Sequence, residues 1–165
     1  MNDDAARAIG AQLAEIYRRI WTVSMRDVPI CNAALEVEAV GFRAYGRAAV
    51  GIVLTPWFMN LVIVDSVRES NLPAGIGAMT SVALPAGEVE CVGAWLDGFG
   101  LLRACSLFSP MFDFAEMAVA RTVAEEAMKA LFVRPPGSES PDSPAGVGRR
   151  ALLTGRLRHD EEILS

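Results

Sequence analysis

The sequence is poor in the residues on which most active sites depend. A single histidine, His159, occurs among 165 residues, and it stands near the C-terminus. Neither a histidine-containing triad nor a multi-histidine metal centre can therefore be assembled inside the folded domain. The three cysteines, Cys31, Cys91 and Cys105, cannot all pair and show no CxxC spacing. Neither a disulfide framework nor a zinc site is expected, and the thiols read as reduced packing groups. An excess of positive charge is missing too. The formal net charge is -5, whereas nucleic-acid binding draws its affinity from Lys and Arg that neutralise phosphates.

Export and membrane signals are also wanting. The chain opens Met1-Asn2-Asp3-Asp4, acidic where a secretory signal needs positive charge. The longest apolar stretch, 48–64, is broken midway by Thr55, Pro56 and Asn60. It reads as two buried strands joined by a bend rather than a membrane span. A cytoplasmic protein without direct membrane insertion is expected.

What is present suits a globular domain. Hydrophobic residues make up 52% of the chain and charged residues 21%, and a chain of this length can bury a core without metal or disulfide support. Ile9, Leu13, Ile16, Tyr17, Ile20 and Trp21 recur at helical spacing between about Asp4 and Ser24, which predicts one amphipathic helix. Leu35, Val37 and Ala39 alternate with Glu36 and Glu38 as a half-buried first strand requires. Gly41 and Gly46 bracket the turn after it.

Further strands are predicted at 50–54, 61–64, 78–84, 88–95 and 101–108, separated by Pro73-Ala74-Gly75, Pro85-Ala86-Gly87 and Asp97-Gly98. The short connections favour an antiparallel meander. Asp113, with Glu116 three residues on, predicts a capping box for a second helix. The expected fold is α+β, an antiparallel five- or six-stranded sheet packed by an N-terminal and a C-terminal helix. The domain spans 1–133. Residues 134–148, rich in Pro, Ser and Gly, form a flexible linker, and 149–165 a basic, apolar C-terminal tail.

Enzyme chemistry finds little support. Gly98-Phe99-Gly100-Leu101-Leu102-Arg103 begins like a dinucleotide fingerprint but lacks the last glycine and precedes a strand. Glu88 and Glu90 share one strand face, where solvated carboxylates are ordinary. Cys105 is the best nucleophile candidate, yet no activating base lies near it in sequence, and a thiol in an apolar strand is normally inert. No cofactor or metal is implied.

Two segments point to binding instead. Leu54-Thr55-Pro56-Trp57-Phe58-Met59 and Phe108-Ser109-Pro110-Met111-Phe112 share one order: strand residue, hydroxyl residue, proline, large apolar side chains. Proline cannot donate to a ladder, so each should end its strand and leave Trp57, Phe58, Met59 and Met111 at the sheet rim. A soft apolar groove there would accept a peptide. The same residues could instead fill the core beneath the helices. A carrier for a small apolar ligand would use the same rim.

The segment 32–61, with Ala34-Leu35-Glu36-Val37-Glu38-Ala39-Val40-Gly41-Phe42-Arg43 and Thr55-Pro56-Trp57-Phe58-Met59-Asn60-Leu61, resembles the HybE/HupJ family. Cys105-Ser106-Leu107-Phe108-Ser109-Pro110-Met111 is similar to that family's second signature. Gly148-Arg149-Arg150-Ala151-Leu152-Leu153-Thr154-Gly155-Arg156 is similar to its third. The resemblance implies a non-enzymatic cytoplasmic chaperone of [NiFe]-hydrogenase maturation. It would hold the small subunit precursor, whose leader carries a twin-arginine signal, with the large subunit as the second candidate partner.

Such a leader offers two guanidinium groups and then an apolar stretch, so its receptor needs carboxylates beside a greasy groove. Glu36 and Glu38 on the first strand, with Glu88 and Glu90 on a later one, would form an acidic patch if those strands were neighbours. Arg149-Arg150-Ala151-Leu152-Leu153 itself resembles the twin-arginine pattern. It is expected to dock in the client groove as a tethered placeholder.

Overall fold

The structure is a computed structural model and describes residues 1–66 and 75–135. Helix α1 (Asp3–Ile20) starts where the Asn2 side chain accepts a hydrogen bond from the Ala5 amide at 2.8 Å. Asp3 and Asp4 in its first turn and Arg18 and Arg19 in its last both oppose the helix dipole. Ala6, Gly10, Leu13, Ala14 and Ile16 form its buried stripe, and a single π-helical turn, Trp21–Met25, extends it.

Six strands follow: β1 (Glu38–Tyr45), β2 (Ala48–Leu54), β3 (Met59–Asp65), β4 (Met79–Leu84), β5 (Gly87–Leu96) and β6 (Gly100–Phe108). All pair antiparallel, in the order β1-β2-β3-β6-β5-β4. This is not the expected simple meander. Two three-stranded units, each built from tight hairpins, meet where β3 pairs with β6, so the chain crosses from the middle of the sheet to its far edge between β3 and β4.

Helix α2 (Met117–Leu131) completes the fold. The expected capping box does not form: Glu116 is the N-cap, in extended backbone, and Asp113 belongs to the preceding turn. That turn is fixed by burial of Met111 and Phe114 and by the Phe114 amide donating to the Met111 carbonyl at 3.3 Å, so the chain cannot enter the helix earlier.

The sheet carries a core on each face. Val50, Ile52, Leu54, Met59, Leu61 and Ile63 join Ala120, Ala124, Met128 and Leu131 of α2. Ala49, Val53, Val62 and Val64 join Ala6, Leu13 and Ile16 of α1. Burial on both faces explains why β2 and β3 read as one apolar run rather than an alternation. Each buried Val, Leu, Ile or Met among them contributes about 1.5–3 kcal/mol on burial, and each alanine less.

The C-terminal end of α2 reaches both edges of the sheet. Phe132 meets Tyr45 of β1 edge to face at 5.5 Å, and the Leu131 carbonyl accepts from the Ala86 amide in the β4–β5 turn at 3.1 Å. The sheet therefore curls around α2.

The first strand departs from the expected pattern twice. Leu35 and Val37 are buried and Glu36 is exposed, as alternation demands, but the ladder begins only at Glu38. The Leu35 amide donates to the Asn32 carbonyl and the Ala34 amide to Asn32 Oδ1, which holds 32–35 as a turn. Gly41 does not bracket the next turn. It lies within β1 at φ +67°, where the register with β2 shifts between Val40 and Arg43. The extra residue turns Phe42 from the face of Val40 to the α1 face, where its ring fills the space above Gly10 and Gly51. The turn itself is Gly46-Arg47, between the paired residues Tyr45 and Ala48.

Candidate functional site

The two proline segments meet at one end of the sheet, because Leu54 pairs with Met59 and Met59 with Phe108. Thr55, fully buried, builds the first turn. Its amide donates to the Phe58 carbonyl at 2.8 Å, and its hydroxyl oxygen accepts from the Trp57 and Phe58 amides at 3.2 and 2.9 Å. These bonds hold the chain in a tight reversal that Pro56 pre-sets by fixing φ. In the second segment the Ser109–Pro110 peptide bond is cis, and Ser109 and Pro110 are exposed.

Asn32 ties the two turns together. Its amide donates to the Pro56 carbonyl at 2.8 Å, and its Nδ2 donates to the carbonyls of Met111 and Phe114 at 2.9 and 2.7 Å. This residue carries no signal in the sequence, since an Asn before a turn ordinarily bonds only its own neighbours.

The expected rim residues divide. Met59 and Met111 have no exposed surface and belong to the core beneath α2, so the proposed rim role fails for both. Met59 opens β3 and Met111 opens the turn that leads to Phe114. Trp57 and Phe58 are half-buried, and Phe112 is 57% exposed.

Trp57 and Phe58 form an aromatic cluster with the end of α1. Trp57 stacks on Trp21 at 6.1 Å and 23°, Tyr17 meets Phe58 edge to face at 5.4 Å, and Trp57 meets Phe58 at 5.6 Å. Burial pushes the Tyr17 hydroxyl pKa up. In the sequence Tyr17 and Trp21 only extend the apolar stripe of a helix, and their pairing with Trp57 is a tertiary fact. Trp21 also lines an open cleft of about 360 Å³ with Arg18, Thr22, Glu36, Val37 and Glu38. A second cleft of about 540 Å³ along α1 shares Arg18 and Glu38.

The acidic patch does not form as expected. β1 and β5 are separated by β2, β3 and β6, so Glu36 and Glu38 lie far across the sheet from Glu88 and Glu90. Glu36 precedes β1 and its amide donates to Met117 Sδ at 3.4 Å. Glu38 receives two hydrogen bonds of 2.8 Å from Arg121 of α2. That fork is the strongest polar contact between α2 and the first strand, and it raises the Arg121 pKa. Glu88 accepts from Ser81 at 3.2 Å. Only Glu36 and Glu38 stand beside the aromatic cluster. Arg149 and Arg150, with the linker from 136 and the whole tail, lie outside the described residues.

Thiol chemistry is disfavoured by environment. Burial, then Glu90, pushes the Cys105 thiol up, and burial raises Cys91 to about 11. Both stay protonated at neutral pH, the reverse of what a nucleophile needs. Asp97-Gly98-Phe99 forms the β5–β6 turn, and Gly100 opens strand β6. Among the described residues no group of three or more His, Cys, Asp or Glu is placed to hold a metal, and no helix is long and apolar enough to cross a membrane.

A family profile described as [NiFe]-hydrogenase assembly, chaperone, HybE matches residues 8–155. The hydrogenase expression/formation protein HupJ of Bradyrhizobium diazoefficiens is 43% identical over 161 residues, covering 94% of each chain. The hydrogenase-2 operon protein HybE of Escherichia coli is 26% identical over 146 residues, covering 88% of each. The solution structure of HybE from Escherichia coli shares the fold, with a TM-score of 0.59 at 20% identity over 83% of this chain and 86% of that one. The chain belongs to the HybE family of [NiFe]-hydrogenase assembly chaperones.

Proposed function

We propose that this chaperone works in the cytoplasm and binds the hydrogenase small subunit precursor through its twin-arginine leader, releasing it once maturation is complete. The large subunit is the second candidate client. The reading rests on one observation: Trp21 belongs both to the aromatic cluster around Trp57 and to the cleft that contains Glu36 and Glu38. A carboxylate beside an aromatic surface is the pairing a leader of two guanidiniums and an apolar stretch requires. Glu36 is exposed and takes the cation, while Arg121 holds Glu38 in place at the cleft wall. On the second turn the exposed Pro110 and Phe112 offer further apolar contact and Ser109 a hydroxyl.

The test is a pull-down of each hydrogenase subunit by the full chain, with the small subunit offered with and without its leader. Retention of the small subunit only when the leader is present supports the reading. Equal retention without the leader, or retention of the large subunit alone, overturns it.

A further inference from the structure

The two edges of the sheet are protected differently. β1 carries Glu38 and Arg43, a bulge at Gly41 and the contact with α2. Strand β4, Met79-Thr80-Ser81-Val82-Ala83-Leu84, has no charge, no proline and an unbroken register with β5 from Met79↔Val92 to Leu84↔Gly87. No strand covers its outer side among the described residues, and Met79 is 62% exposed beside Ile76 at 50%. A bare, uncharged edge of this kind is a template for one more strand.

We propose that this chain's own tail, residues 149–158, docks along β4 as an added antiparallel strand. The place where the chain leaves α2 favours that occupant. The Leu131 carbonyl, four residues before the described chain ends at Pro135, accepts from the Ala86 amide in the β4–β5 turn, so the chain leaves the helix beside the C-terminal end of β4. Returning along β4 from there gives the antiparallel direction.

The reach suffices: fourteen residues from Pro135 to Arg149 span up to about 46 Å, against roughly 20 Å for the length of β4. Charge agrees as well. Residues 79–96 contain Glu88 and Glu90 and no basic residue, whereas 149–158 contain Arg149, Arg150, Arg156 and Arg158 and no acid. Leu152, Leu153 and Leu157 supply apolar groups to lie near Met79 and Ile76. This site differs from the client groove expected for the tail, and it is measured without any client, so it stands or falls separately from the client reading.

Hydrogen exchange read by mass spectrometry on the full chain tests it, comparing the wild type with the double variant Leu152→Pro/Leu153→Pro, which cannot donate to a ladder. The expected result is exchange in 79–83 about tenfold faster in the variant, with β2 and β3 unchanged. Equal exchange of 79–83 in both proteins overturns the proposal. So does a uniform acceleration that includes β2 and β3, or protection of β4 that vanishes on dilution, which would assign the edge to a second copy of the chain.

Discussion

Asn32 Nδ2 donates to the carbonyl oxygen of Met111 at 2.9 Å, across 79 residues of sequence. The same nitrogen serves the Phe114 carbonyl, and the Asn32 amide holds the Pro56 carbonyl. One residue, through its backbone N–H and its side chain, therefore fixes the spacing of the two proline turns. Asn32→Ala leaves two partly buried carbonyls without that donor and should cost about 1–3 kcal/mol in urea unfolding. Asn32→Asp should cost more at neutral pH, because a carboxylate would face two carbonyl oxygens. Those oxygens raise its folded pKa, so the deficit should shrink as the pH falls and the acid protonates.

Gly93 lies under Gly75, and a Cβ at Gly93 would overlap the Gly75 carbonyl, a backbone atom that cannot swing aside. Gly93→Ala should lower stability by about 1–3 kcal/mol, the scale of overpacking a filled site. Gly51→Ala should be destabilising on the other half of the sheet, where the added methyl would enter the Phe42 ring. A thermal melt of each variant checks both.

The thiol environment predicts a pH dependence. Cys91 ionises near 9.0 when free and about 11 in the folded protein. Between those values the unfolded chain loses its proton first. The stabilising effect of the protonated thiol is therefore complete below pH 9 and fades as the pH rises toward 11. Iodoacetamide at pH 8 should label Cys91 only at the rate of unfolding. Rapid labelling of Cys91 in the native protein would show that this burial is wrong.

Trp57→Ala removes the stack on Trp21 and the contacts with Tyr17 and Phe58. Because Trp57 is half-buried, the cost should be about 2 kcal/mol, less than for a core aromatic. The domain should stay folded, as judged by an unchanged far-ultraviolet circular dichroism spectrum. Met59→Ala, in the core, should cost about 2–5 kcal/mol.

Much of this fold is legible in the sequence because its periodic signals are strong. The stripe from Ile9 to Trp21, the apolar 48–64 run split at Thr55-Pro56 and the turns at Pro85 and Asp97 each mark an element locally. What the sequence does not carry is which distant strands pair. The β3–β6 pairing joins residues 59–63 to 103–108, and it alone decides that Glu88 and Glu90 lie away from Glu36 and Glu38. The bulge at Gly41 likewise needs the partner strand before Phe42 can be assigned a face. The proline turns were readable as strand ends. Whether Met59 points outward depends on a single residue of register, which local chemistry does not fix, and Met111 lies beyond β6, where only tertiary packing sets its direction.

The most direct measurement is titration of the full chain with small subunit precursor by isothermal calorimetry, for the wild type, Trp57→Ala and Glu36→Gln. The expected result is leader-dependent binding that weakens about tenfold or more in each variant, with the fold intact, as loss of one aromatic anchor or one charge pair implies. Undiminished binding by both folded variants, or affinity that does not depend on the leader, would contradict a client site built around Trp57 and Glu36.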